Sequence, residues 1–177
     1  GAKYKDKVSG NLGDISATSF FPAKPLGCYG DGGAIFTNCK SDYEIMESIR
    51  IHGKGKDKYD CDRIGLNGRL DSIQAAILLP KLKIYNKEIE LRQRVASLYS
   101  SKLSNYVQTP FIPHEYTSVW AQYSLVLDSN ESRNKIIKAL SDQGIPSMIY
   151  YKIPLHLQNT FSSLGNFNSL TTVSYPM

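Results

Sequence analysis

The chain has 177 residues, 41% hydrophobic and 21% charged, with a formal net charge of +5; it is long enough for a sizeable core and composed like a soluble globular protein. No 18-residue apolar run marks a membrane span, and Gly1-Ala-Lys-Tyr-Lys-Asp-Lys lacks the apolar stretch of a secretory signal. The lysines are dispersed, and the densest group, Lys54, Lys56 and Lys58, is broken by Asp57 and followed by Asp60, which reads as a solvated loop rather than a nucleic-acid face and leaves a modest positive field suited to an anionic substrate.

Cys28, Cys39 and Cys61 are odd in number and widely spaced. They fit neither a disulfide framework nor a zinc pattern, and read as reduced thiols of a cytoplasmic protein, filling core or loop positions. The chain begins without Met, so a processed, tagged or cut product is expected.

In chain order, residues 15–21 and 33–37 read as strands. The dozen residues between them carry Pro22, Pro25, Gly27, Gly30 and Gly32. So few helix formers argue against a crossover helix, and the strands are expected to be antiparallel neighbours or separated by an irregular excursion. Ser41-Asp-Tyr-Glu44 fits a capping box opening a helix to Arg50. A polar loop from His52 follows, then a helix from Asp71 that Pro80 should kink or divide. From Lys81, Leu82, Ile89, Ala96 and Leu103 recur every seven residues, with Tyr85, Arg92 and Tyr99 offset by three, predicting a helix of about six turns with one apolar seam. Beyond it, residues 122–127 read as a strand, 129–143 as a helix stopped by Gly144, 145–151 as a strand and 162–172 as a loop. Together these suggest a second, smaller α+β lobe.

Lys24 lies in the excursion between the first two strands. A strand-end lysine is usually only solvated. Here Ser19 stands five residues before it, with a hydroxyl that can donate to an anion, and Gly30-Asp-Gly-Gly33 lets backbone approach a bulky ligand. A lysine held on a rigid strand end and partly desolvated is the kind that attacks carbonyls. The glycine-rich stretch lacks the Gly-Lys-Ser/Thr ending of a nucleotide-binding P-loop.

Four segments in order carry a resemblance: Gly13-Asp-Ile-Ser-Ala-Thr-Ser19-Phe-Phe-Pro-Ala-Lys24-Pro-Leu-Gly-Cys-Tyr29-Gly-Asp-Gly-Gly33-Ala-Ile-Phe-Thr37, Ile64-Gly-Leu-Asn67-Gly-Arg69-Leu-Asp71-Ser-Ile-Gln74-Ala-Ala-Ile-Leu78, Val119-Trp120-Ala-Gln-Tyr123-Ser124 and Tyr150-Tyr-Lys-Ile-Pro154-Leu-His156-Leu-Gln158. They resemble the pyridoxal-phosphate (PLP)-dependent nucleotide-sugar aminotransferases of the DegT/StrS family. The resemblance implies an α/β, fold-type I PLP-dependent transferase. Residues 1–84 would be the rear of the large PLP-binding domain, and residues 85–177 the interdomain helix with a truncated small α+β domain. It implies that Lys24 forms the Schiff base with PLP and that Ser19 binds the phosphate. Asn67 would reach the phosphate from a neighbouring subunit of a homodimer, while Arg69 and His156 would contact substrate. Amino-group transfer from an amino acid, usually glutamate, to a keto group of a nucleotide-linked sugar is implied for the cytoplasmic parent, in polysaccharide or glycan sugar biosynthesis. The Lys24 segment most resembles members acting on UDP-linked 3-keto uronic acids. No nucleic acid, membrane or metal is implied.

Members of this family are about twice as long. The front half, with its pyridinium aspartate, stacking aromatic and phosphate-binding helix start, has no counterpart in these residues. A fragment is therefore expected, inactive alone, weak in PLP binding and prone to self-association because the 15–21 and 33–37 strands read as buried on both faces. Two alternatives stand beside it. PLP-dependent dehydratase relatives replace the lysine with histidine, against which Lys24 weighs. The other is a truncated, inactive product acting only as a binding or interaction module.

Overall fold

The computed structural model describes residues 1–164. The chain divides into two compact units, one of residues 1–102 with 111–123 and the other of residues 103–110 with 124–177.

The first unit opens with a small antiparallel sheet of order β2-β1-β5, made of β1 (Lys3–Tyr4), β2 (Lys7–Val8) and β5 (Tyr116–Thr117). A separate two-stranded antiparallel ladder follows, β3 (Ile15–Ser19) against β4 (Gly33–Thr37), in register from Ile15↔Thr37 to Ser19↔Gly33. The antiparallel expectation holds: the connector is an irregular loop, and the Phe20 amide bonds the Gly32 carbonyl at 2.7 Å just beyond the ladder. The apolar faces of these strands are open, as expected for a fragment: Ile15 is 51%, Ile35 58% and Phe36 45% exposed, because a ladder of only two strands covers neither of its own faces.

Helix α1 (Lys40–Arg50) begins one residue before the expected capping serine. Cys39 takes the N-cap position with extended backbone and no side-chain cap, and Ser41 Oγ instead lies 3.0 Å from Cys39 Sγ. Ser41 is the second residue inside the helix, two positions past the N-cap, too far along to cap it.

Helix α2 (Ser72–Leu103) is one 32-residue element, about 48 Å long, that passes through Pro80 without dividing. Proline removes one backbone donor from that turn, and the helix absorbs the loss. Along the expected seam Ala96 is buried at 3% while Leu82 and Tyr99 stay 57% and 50% exposed. Trp120 is half-buried, its indole N–H donating to Gln93 Oε1 of this helix at 2.8 Å. Among the described residues the buried hydrophobics are Cys28, Leu78 and Ala96, and no helix is long and apolar enough to cross a membrane. All three cysteines are free thiols.

The second unit contains helix α3 (Asn130–Asp142), capped as its sequence demands. Ser129 Oγ accepts from the Ser132 amide at 3.1 Å. At the other end Gly144, at φ 70°, lets its own amide reach the Ser141 carbonyl and the Ile145 amide reach that of Leu140, the paired bonds of a Schellman motif. The strands expected at 122–127 and 145–151 do not form. Pairing there is reduced to one isolated bridge, Gln108↔Val126, and an alternating pattern becomes a strand only when a second strand completes its ladder. Short 3-10 turns occupy Leu155–Leu157 and Asn159–Leu164. The loop expected over 162–172 falls mostly outside the described residues.

Candidate functional site

Lys24 sits in a closed loop built by its own backbone. The Cys28 amide donates to the Phe20 carbonyl at 2.8 Å, so residues 21–27 form an excursion whose two ends meet. The Cys28 thiol, fully buried, reinforces that closure through contacts to the Phe20 carbonyl at 3.1 Å and the Gly30 carbonyl at 3.0 Å. Gly27 makes the closure possible: a Cβ there would stand 2.6 Å from the Phe21 carbonyl oxygen and 2.7 Å from that of Pro22.

Ser19, the last residue of β3, turns the chain into the loop. Its Oγ accepts from the Phe21 amide at 3.1 Å, and the Lys24 amide then bonds the Phe21 carbonyl at 2.8 Å. With its oxygen accepting, the Ser19 hydroxyl still has a proton to donate. Both Ser19 and Lys24 are exposed, so the partial desolvation expected for the lysine is absent in this chain.

Asn67 and Arg69 occupy the segment between α1 and α2. Arg69 Nε donates to Asn67 Oδ1 at 3.0 Å. The segment is pinned to the end of α1 by amide bonds from Leu66 to Ile49, from Gly68 to Arg50 and from His52 to Leu66, all between 2.8 and 2.9 Å. Asn67 and Arg69 thus form one exposed pair, while Ser19 and Lys24 share another loop; among the described residues no hydrogen bond or ion pair joins the two. His156 belongs to the second unit, half-buried in the turn Leu155–Leu157, with its Nε2 buried and without a hydrogen-bond partner. His52 and His114 are exposed.

Two residues of α2 hold the Lys24 loop from outside, and sequence reasoning missed both. Gln74 Oε1 accepts from the Tyr29 amide at 2.8 Å, and Lys81 Nζ donates to the Gly27 carbonyl at 2.6 Å. These contacts span 45 and 54 residues, a separation over which a single sequence carries no pairing signal. Chemically, the loop offers a primary amine for a carbonyl and a hydroxyl proton for an anion. That donor set fits a phosphorylated aldehyde such as PLP.

Residues 1–174 match the DegT/DnrJ/EryC1/StrS aminotransferase family. The chain is 49% identical over 159 residues to the UDP-2-acetamido-2-deoxy-3-oxo-D-glucuronate aminotransferase of Pseudomonas aeruginosa, covering 89% of this chain and 43% of that protein. A crystal structure of a DegT/DnrJ/EryC1/StrS aminotransferase from Brucella abortus superposes with a TM-score of 0.87 at 48% identity, over 91% of this chain and 42% of the other. The NtdA protein of Bacillus subtilis, solved with bound cofactor PMP, superposes at 0.73 with 28% identity, over 85% of this chain and 36% of that one. The chain thus spans less than half the length of these relatives, and its architecture is that of part of a fold-type I PLP-dependent transferase. With all but its last three residues matched, the chain belongs to the DegT/DnrJ/EryC1/StrS aminotransferase family.

Proposed function

We propose that this chain carries the cofactor-attaching lysine of an aminotransferase that moves an amino group from an amino acid, glutamate, to a keto group of a nucleotide-linked sugar. The observation that carries the reading is the closed loop that holds Lys24 and is entered through Ser19, whose Oγ accepts from the Phe21 amide. The 49% identity to an enzyme named for a UDP-linked 3-oxo-glucuronate supports a UDP-linked 3-keto uronic acid as substrate. In this reading the whole protein is a cytoplasmic homodimer with shared active sites, serving surface-polysaccharide or glycan sugar synthesis.

PLP, when bound, supplies an electrophilic aldehyde and an electron sink for the amino-acid carbon. Lys24 would hold it through its amine, and its Nζ would hold and return a proton. Ser19 would donate its hydroxyl hydrogen to the phosphate in a hydrogen bond. Asn67 would donate its amide N–H to the phosphate of the partner subunit's site, since its Oδ1 is already occupied by Arg69. Arg69 and His156 are assigned to the substrate, with charge and ring nitrogen respectively suited to its carboxylates and phosphates.

The test is conversion of a UDP-linked 3-keto uronic acid to its amine by the whole protein, with glutamate as donor and 2-oxoglutarate measured. Turnover lost in Lys24→Ala is the expected result. A Lys24→Ala protein that turns over normally would overturn the reading.

A further inference from the structure

We propose that Lys81 is a positioning residue for Lys24: its ammonium fixes the base of the Lys24 loop to helix α2. Lys81 Nζ donates to the Gly27 carbonyl at 2.6 Å and stands 4.7 Å from the centroid of the Tyr29 ring. Gln74, seven residues earlier and so two turns away on the same face of the helix, accepts from the Tyr29 amide at 2.8 Å. The helix therefore grips the returning arm of the loop at Gly27 and at Tyr29.

Gly27 is the point at which such a grip controls the whole loop. It is buried and packed against the Phe21 and Pro22 carbonyls at the other end of the excursion, so holding its carbonyl holds both arms. The ammonium is committed to this task. Among the described residues Lys81 forms no ion pair with a carboxylate, unlike Lys5, Lys40, Lys87, Lys135 and Lys138. A charge-assisted bond to a carbonyl is about twice as strong as a neutral one, and the aromatic face adds to it. A side chain that merely filled space at position 81 would need no charge.

The consequence for chemistry rests on the reading that Lys24 attaches PLP; the grip itself does not. Two measurements separate them, made on the whole protein with Lys81→Met, Lys81→Arg and Tyr29→Leu. The first is amide hydrogen exchange over residues 20–32. The second is the rate at which PLP is trapped on Lys24 by borohydride, read by peptide mass. Lys81→Met is expected to speed exchange over 20–32 about tenfold, with α3 unchanged, and to slow trapping severalfold while its final extent is kept. Lys81→Arg, which keeps a cation and a donor, restores both, and Tyr29→Leu gives a smaller rise in exchange. A folded Lys81→Met with unchanged exchange, or Lys81→Arg behaving like Lys81→Met, overturns the proposal. Should Lys81→Met not fold, an unchanged exchange rate in Tyr29→Leu, at a residue 74% exposed, overturns it instead. Absence of trapping at Lys24 in the unsubstituted protein overturns the functional reading and with it the positioning role.

Discussion

Cys28 and Phe20 close the loop that presents Lys24, the Cys28 amide at 2.8 Å and its thiol at 3.1 Å from the same Phe20 carbonyl. One residue thus supplies both a backbone and a side-chain contact at the loop's mouth, and its sulfur is sealed from solvent.

That seal has a chemical readout. Cys39 and Cys61 are exposed and Cys28 is fully buried, so iodoacetamide should modify the first two thiols under native conditions and reach Cys28 only after unfolding. Native labelling of Cys28 at the rate of Cys39 would mean that the loop is open.

Ser19→Ala should weaken PLP binding about tenfold, the value of one hydroxyl hydrogen bond to a charged phosphate. It also removes the acceptor of the Phe21 amide, so the loop should loosen. Titration of the whole protein with PLP checks this, and an unchanged affinity would take Ser19 out of the phosphate site.

The two helix starts make opposite predictions. Ser129 accepts from the Ser132 amide, so Ser129→Ala should cost about 1 kcal/mol. Ser41 caps nothing on α1, so Ser41→Ala should lie within about 0.5 kcal/mol of neutral. Denaturant midpoints of the two variants decide it; a larger loss from Ser41→Ala would restore the capping box.

These helix starts also show what was legible in the sequence. Ser129 and Gly144 bracket α3 with local chemistry, and the glycine- and proline-rich connector between β3 and β4 excludes a helix by composition alone, so both were readable. Ser41-Asp-Tyr-Glu44 failed as a box because the N-cap falls two residues earlier, at Cys39, a shift no local pattern fixes. Pro80 failed as a breaker because the rest of a 32-residue helix outweighs one missing donor. Residues 122–127 alternate like a strand and 145–151 read as one, but both lack the partners that a ladder needs. At the candidate site, Lys24 and Ser19 stand out in the sequence because they lie five residues apart with a glycine-rich stretch after them. Gln74 and Lys81 were not, since their ties to the loop depend on where a distant helix lies.

Gly53 should tolerate no side chain. It sits at φ 73°, and a Cβ there would collide with the Arg63 carbonyl. Gly53→Ala combines left-handed strain with overpacking and should cost about 2–4 kcal/mol. It should also release the segment holding Asn67 and Arg69, since the Asp62 amide bonds the Gly53 carbonyl at 2.9 Å. Thermal denaturation measures the loss; a melting temperature unchanged from the parent would contradict the geometry of this turn.

The most direct test of the account is covalent. The whole protein is loaded with PLP, reduced with borohydride and digested, and the modified peptide is identified by mass. The account predicts one phosphopyridoxyl group per chain, on Lys24, and none there in Lys24→Ala. Stoichiometric modification of a different lysine, with Lys24 left free, would contradict it.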